Sequence, residues 1–147
     1  MNLSSPAEVT TLLKNLDFTP SKILGQNFLI DRNILRILIE AARLSPEDHV
    51  LEIGAGLGVL TQAILEQTGQ VWAVEKDSRL CGHLRNVFKD QAGFHLLEGD
   101  FLEMNTDELL VRNRINRVLA NLPFSSGSRM LVNLFLAEKP PSSMTVT

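Results

Sequence analysis

The run Val50-Leu51-Glu52-Ile53, followed at once by Gly54-Ala55-Gly56-Leu57-Gly58, constrains the fold of this chain more than any other stretch. An apolar strand, a glycine-rich turn and then a helical pattern from about Leu60 to Gln67 is the order that a nucleotide-binding βα turn requires. Glycines there permit positive φ and let a ligand approach the backbone with no Cβ in the way. The dinucleotide fingerprint G-x-G-x-x-G needs glycine or alanine at position 59, and Val59 stands there. The spacing is instead G-x-G-x-G with an acid two residues before it. That disfavours a pyrophosphate site and suits a compact cofactor bearing a cationic sulfonium. The alternative is a tight strand-to-helix turn that holds no ligand.

Further units of the same kind follow. Strand patterns at His49 to Ile53, Gln70 to Val74, Phe94 to Leu97 and Arg117 to Ala120 alternate with helical patterns at Ser78 to Lys89, Asp107 to Val111 and Gly127 to Ala137. Such alternation implies right-handed βαβ crossovers and a parallel sheet. Upstream, Ser5-Pro6-Ala7-Glu8 reads as a capping box opening a helix to about Leu16. Asp31 is placed to cap a second helix with Ile34, Leu35, Leu38, Ile39 and Ala42 on its apolar face. The tail after Pro140-Pro141 reads as a turn and the first residues of a fifth strand, Met144-Thr145-Val146-Thr147. The expected fold class is α/β, a doubly wound parallel sheet of Rossmann-like type, truncated after four or five strands and preceded by a helical extension. A chain that stops on entering a strand reads as the N-terminal part of a longer protein.

At 147 residues the chain is one domain by length. Hydrophobic content of 44% with 21% charged residues fits a globular protein with a real core. No apolar stretch approaches a membrane span, and Met1-Asn2-Leu3-Ser4-Ser5-Pro6 lacks the regions of a signal peptide, so a cytoplasmic location is expected. A single cysteine, Cys81, agrees with a reducing compartment and reads as a small apolar helix residue. His49, His83 and His95 have no cysteine or carboxylate at ligand spacing, so no metal is expected. The net charge of −3 is unusual for a nucleic-acid binder, which ordinarily neutralises phosphates with a basic face. Arg112, Arg114 and Arg117 read equally as a phosphate site or as a solvated connection.

The residues expected to carry chemistry stand at the strand exits. Glu75, 19 residues past Gly56, can accept both hydroxyls of an adenosine ribose. Lys76 and Asp77 beside it read as a solvated turn and a helix cap. After the third strand, Asp100 can accept the N6 amine of a cofactor adenine, with Phe101 or Leu102 against the ring; a turn or cap aspartate is the alternative. After the fourth comes Asn121-Leu122-Pro123-Phe124. An exocyclic amine on a base is a poor nucleophile because its lone pair is delocalised into the ring. The Asn121 side-chain oxygen and the carbonyl of Leu122 or Pro123 can hold both N–H groups and favour a pyramidal nitrogen. Pro123 stiffens the turn, and Phe124 can stack on an extruded base. The alternative is a buried proline turn with Phe124 in the core. Glycine turn and Asn-Leu-Pro-Phe together point to methyl transfer from S-adenosylmethionine to an amino nitrogen of a nucleic-acid base.

In this order these residues resemble the ribosomal RNA adenine N6,N6-dimethyltransferase family, from about Lys22 to Thr147. Lys22-Ile23-Leu24-Gly25-Gln26-Asn27-Phe28-Leu29-Ile30-Asp31 is close to the family's N-terminal motif. The resemblance implies that Asn27 and the Leu29 backbone contact the methionine part of the cofactor. Gly54, Gly56, Glu75, Asp100 and Asn121 then line the remainder of the site. It implies a cytoplasmic enzyme that dimethylates N6 of adenines in small-subunit ribosomal RNA, within a pre-ribosomal particle, without metal or membrane. Small-subunit members usually carry tyrosine where Phe124 stands. Further strands and a small helical domain, usual in the family, are absent from residues 1–147, read here as the cofactor-binding portion of a methyltransferase domain. A chain of this extent is therefore expected to self-associate and to be silent in methylation until extended. Other readings are a macrolide-resistance-type large-subunit methylase, an adenine-N6 DNA methylase, a non-catalytic RNA-binding or transcription-factor relative, and an NAD-dependent oxidoreductase. Val59 and Asn121-Leu122-Pro123-Phe124 disfavour the last.

Overall fold

In the computed structural model, which describes residues 6–18 and 31–147, five strands form one parallel sheet. They are β1 (Val50–Ile53), β2 (Val71–Glu75), β3 (Phe94–Glu98), β4 (Arg117–Ala120) and β5 (Ser143–Val146), in the spatial order β3-β2-β1-β4-β5. Val50 lies opposite both Val71 and Arg117, and Arg117 lies opposite Ser143. Helices α1 (Pro6–Asn15) and α2 (Arg32–Ala42) precede the sheet. The crossovers are α3 (Val59–Thr68), α4 (Ser78–Val87), α5 (Thr106–Arg112) and α6 (Gly127–Phe135). Strand order reverses at β1, with β2 and β3 on one side and β4 and β5 on the other. The rim where β1 and β4 part is thus a topological switch point, where open α/β sheets bind ligands.

Alternation along the strands makes two cores. Leu51, Ile53, Val74, Val118 and Ala120 face one side and pack with Phe101, Leu110, Met130 and Leu134, beneath α5 and α6. Val50, Val71 and Leu119 face the other, against Ala42 of α2 and Leu60 and Ile64 of α3. Ala73 joins Leu84 of α4 and Phe88, which caps that helix, on that second face. All of β1 is buried, which is why it reads as an almost unbroken apolar run. Each buried leucine or isoleucine contributes about 1.5–3 kcal/mol, so this doubly covered strand anchors the molecule.

Local signals fix the helix ends. The Asp31 carboxylate accepts from the N–H groups of Asn33 (2.7 Å) and Ile34 (3.3 Å), the expected cap. The proposed Ser5 cap of α1 lies outside the described residues. On α2, Leu38 and Ala42 are buried and Leu35 and Ile39 partly so, whereas Ile34 is 41% exposed. Ile34 sits at the rim of the 35-38-39-42 stripe, so it is corrected from core to surface. The expected fifth strand is present, and an unexpected single 3-10 turn, Phe101–Glu103, precedes α5.

The arginine group lies away from the rim. Asp48 accepts from the Ser45 N–H (2.8 Å) and the Asn116 amide (2.6 Å), and pairs with Arg117 at 3.3 Å. Burial alone would lift the Asp48 carboxyl, but these hydrogen bonds and the Arg117 charge outweigh it and hold it below its ordinary range. This network stitches the N-terminal ends of β1 and β4, the end of the sheet opposite the glycine turn. Arg112 pairs with Glu108 one helical turn away (3.9 Å). His49 and His95 stack on either side of Trp72, at 5.1 and 4.6 Å between ring centroids, in a structural role.

Candidate functional site

The glycine turn divides into two jobs. Gly54 has φ +78°, and the N–H groups of Gly54 and Ala55 donate to the Val74 carbonyl at 2.8 and 3.2 Å. A Cβ on Gly54 would stand 3.9 Å from the Asn121 carbonyl oxygen, in the cleft where β1 and β4 part. Gly58 (φ +86°) is different: a Cβ there would come within 2.7 Å of the Phe88 ring. The third glycine therefore serves the packing of α3 on α4, and only the first two border the rim.

Glu75 ends β2 and is 6% exposed. One carboxylate oxygen accepts from the Gly56 N–H and the other from the Asp77 N–H, both at 2.9 Å. The side chain thereby ties the turn after β1 to the turn after β2, and each oxygen retains a lone pair for a further donor. Asp77 caps α4 through the N–H groups of Arg79 and Leu80 and pairs with the Arg79 guanidinium at 2.9 Å. Arg79 in turn donates to the Asp17 carbonyl (2.7 Å) and covers the Phe18 ring at 4.6 Å. Because Phe18 packs with Val9, Leu12, Leu57 and Leu80, this latch fastens α1 onto the glycine turn.

At the exit of β3, one Asp100 oxygen accepts from the Leu102 N–H (2.9 Å) and caps the 3-10 turn. The cap reading is thus realised, with the carboxylate still half-buried at the rim. Phe101 is corrected: at 1% exposure it belongs to the core under α6, leaving Leu102 as the apolar neighbour of this position. Cys81 is buried and donates to the Glu75 carbonyl at 3.3 Å. Burial pushes its thiol up to about 11, so it is an inert helix residue, as expected.

Asn121-Leu122-Pro123-Phe124 leaves β4 beside Gly54. Leu122 buries its side chain in the core, so its backbone is the part left to the site. The Pro123 carbonyl accepts from the Gly127 N–H (2.9 Å) and the Ser126 N–H (3.4 Å), opening α6. Of the two carbonyls expected to face a target amine, that of Pro123 is thus already engaged at the start of α6. Phe124 is 88% exposed, which removes the alternative of a core aromatic. Asn27 and Leu29 lie outside the described residues. Among the described residues, no group of three His, Cys, Asp or Glu is placed to hold a metal, and no helix is long and apolar enough to cross a membrane.

Two contacts near the rim could not be read from the sequence. Glu52 is buried under α3, where the Thr61 hydroxyl donates to it at 2.6 Å. Burial pushes its carboxyl up to about 8, the Thr61 hydrogen bond opposes this, and the Glu75 charge adds to it. The signal was an acid inside an otherwise apolar strand. Thr147, beyond β5, donates its hydroxyl to the Asn121 side-chain oxygen at 2.9 Å, and only the strand register brings the two together.

Residues 18–147 match the family described as ribosomal RNA adenine dimethylase. A ribosomal RNA small subunit methyltransferase A from Dehalococcoides mccartyi is 38% identical over 140 residues, covering 95% of this chain and 48% of the relative. A dimethyladenosine transferase from Plasmodium falciparum superposes with a TM-score of 0.67 at 25% identity, over 78% of this chain and 40% of that one. The 23S rRNA methyltransferase ErmE gives 0.65 at 26% identity, over 82% and 45%. The chain spans about half the length of the curated relative it matches. With the family matched from Phe18 to Thr147, and a relative at 38% identity over nearly the whole chain, the chain belongs to the ribosomal RNA adenine dimethylase family.

Proposed function

We propose that this chain carries the cofactor and target-amine half of an S-adenosylmethionine-dependent enzyme that dimethylates N6 of adenines in small-subunit ribosomal RNA. One observation carries the reading: the Phe124 ring, 88% exposed, stands three residues from Asn121, whose backbone borders Gly54 at the switch point. An exposed ring beside an amide and a glycine-lined cleft suits a base taken out of its stack. The residues fit the cofactor. Gly54 leaves a cleft that a Cβ would occupy, Glu75 offers acceptors for ribose hydroxyls, and half-buried Asp100 offers one for an adenine amine. The matched Dehalococcoides relative, at 38% identity against 26% for ErmE, favours small-subunit over large-subunit RNA.

When bound, S-adenosylmethionine supplies an electrophilic methyl group on a sulfonium. The chain's own residues do the rest. The Asn121 side-chain oxygen and the Leu122 carbonyl accept the two N–H groups of the target amine and draw its lone pair out of conjugation. Phe124 stacks on the extruded base, worth roughly 1–3 kcal/mol against unstacking. Once methylated, the amine nitrogen would carry an acidic proton, which the rim would leave free to pass to solvent. Catalysis is positioning and polarisation, with no strong base needed.

Calorimetry with S-adenosylhomocysteine and with NAD, followed by labelled methyl transfer to small- and large-subunit RNA, tests the reading. Transfer is measured on this chain and on the same chain continued by the C-terminal half of a matched small-subunit relative. Binding of S-adenosylhomocysteine alone, with N6,N6-dimethyladenosine in digests of small-subunit RNA, is the expected result. Preferential NAD binding, or product confined to large-subunit RNA, overturns it.

A further inference from the structure

The glycine turn has little of its own to hold its shape. Gly54, Gly56 and Gly58 all lie at positive φ (+78°, +57° and +86°), and glycine adopts either sign of φ with nearly equal ease. The conformation has to be imposed by what surrounds it. Leu57, between the second and third glycines, is gripped twice. Its side chain is 2% exposed and packs with Val9 and Leu12 of α1, with Phe18 and with Leu80 of α4. Its carbonyl accepts from Nε2 of His83, on α4, at 3.2 Å.

The peptide plane between Leu57 and Gly58 is thereby held at both ends. The Gly58 N–H donates to the Ala55 carbonyl at 2.9 Å, and the Leu57 carbonyl is taken by the imidazole. Without the imidazole only the N–H side is tied, and a plane that precedes a glycine turns over at little steric cost. The roles in this bond follow from its partner. A carbonyl can only accept, so Nε2 carries the hydrogen. Burial lowers the titration of the ring, against the Leu57 hydrogen bond, so near pH 7 the ring is neutral and Nε2–H is its one donor.

Helix α4 forms the bed on which the turn lies. Leu80, His83 and Leu84 share one face at helical spacing, and a Cβ on Gly58 would stand 3.0 Å from Leu84. The start of the same helix is tied to the same turn by another route. Glu75 accepts from the N–H of Asp77, the cap of α4, and from the N–H of Gly56, next to Leu57. The contacts close a ring: Glu75 to Gly56, Leu57 to His83, and α4 back through Asp77 to Glu75.

We propose that His83 is a positioning residue for cofactor binding, its Nε2–H holding the Leu57 carbonyl so that Gly56 and Glu75 keep the arrangement that receives the cofactor's ribose. The inference rests on the S-adenosylmethionine reading given above. His83 acts through the turn and needs no contact of its own with the cofactor.

The test compares His83→Leu, which removes the donor, with His83→Gln, whose side-chain amide puts an N–H where Nε2 stood. Amide hydrogen exchange of this chain without ligand, followed by NMR, reads the turn directly. Exchange at Gly56 and Gly58 is expected to be severalfold faster in His83→Leu, unchanged across Val50–Ile53, and restored in His83→Gln. Calorimetry should then show S-adenosylhomocysteine bound roughly two- to tenfold more weakly by His83→Leu, the size of one lost hydrogen bond, and recovered in His83→Gln. Unchanged exchange or unchanged affinity in His83→Leu overturns the proposal. Faster exchange spread equally over β1 also overturns it, because His83 would then support the fold as a whole. So does a glutamine variant as impaired as the leucine one, since the shape of the ring and not its N–H would matter. Failure of the unaltered chain to bind S-adenosylhomocysteine removes the functional reading and the role of His83 with it, whereas the exchange result separately decides whether the imidazole holds the turn.

Discussion

Glu75 ties two turns together: its two oxygens hold the Gly56 and Asp77 N–H groups. In the proposed function their remaining lone pairs take the ribose hydroxyls. Glu75→Ala is expected to weaken S-adenosylhomocysteine about ten- to a hundredfold, the value of a hydrogen bond to a charged acceptor, as read by calorimetry. Unchanged affinity removes Glu75 from the site. At Phe124 the requirement is a ring and no more. Phe124→Tyr should keep methyl transfer and Phe124→Ala should lose it, with cofactor affinity equal in both; an active alanine variant refutes the stacking role. These residues were legible because each combines a special residue type with a strand exit. Phe101 was misjudged for the same reason, since adjacency to Asp100 says nothing about which way a 3-10 turn points its ring. Glu52 is legible as the acid before the glycine turn, but its burial against Thr61 depends on the helix laid over it, which spacing does not reveal.

At the scale of elements, the strands and helices of the sheet follow from period and caps, and Asp31 and Asp77 cap as their residue type predicts. What the sequence did not reveal is how α1 reaches the site. Arg79 supplies that link, joining the Asp77 cap, the Asp17 carbonyl and the Phe18 ring in one latch. These contacts span 62 residues of chain, so no local pattern announces them. Arg79→Ala should leave the sheet folded and release α1. Limited proteolysis would then cut within residues 6–18 severalfold faster, with the region 50–120 equally protected. Equal cleavage of both proteins would show that the apolar contacts of Val9, Leu12 and Phe18 hold α1 unaided.

For the whole molecule, two features set behaviour in solution. Among the described strands β5 pairs only with β4, and α6 with its C-cap exposes Val132, Phe135 and Leu136, at 52%, 66% and 79%. An unpaired strand edge next to an apolar helix face promotes association. Light scattering should find this chain self-associating with rising concentration, and Phe135→Lys with Leu136→Lys should suppress it; a wild-type monomer at all concentrations refutes the idea. The second feature is the buried acid. Glu52 is raised by burial from an ordinary 4.5 to about 8 in the folded protein. Between those values the folded chain keeps a proton that the unfolded chain has lost, so stability falls as pH rises, by up to about 1.4 kcal/mol for each pH unit from this group. Above about pH 8 both states are ionised and the loss is complete. Glu52→Gln cannot ionise and keeps an acceptor for Thr61. Its melting temperature should therefore draw ahead of the wild type as pH rises from about 4.5 to 8, then hold a constant lead. Parallel melting curves across that range would mean that Glu52 is already charged in the fold, with the Thr61 hydroxyl sufficient to keep it so.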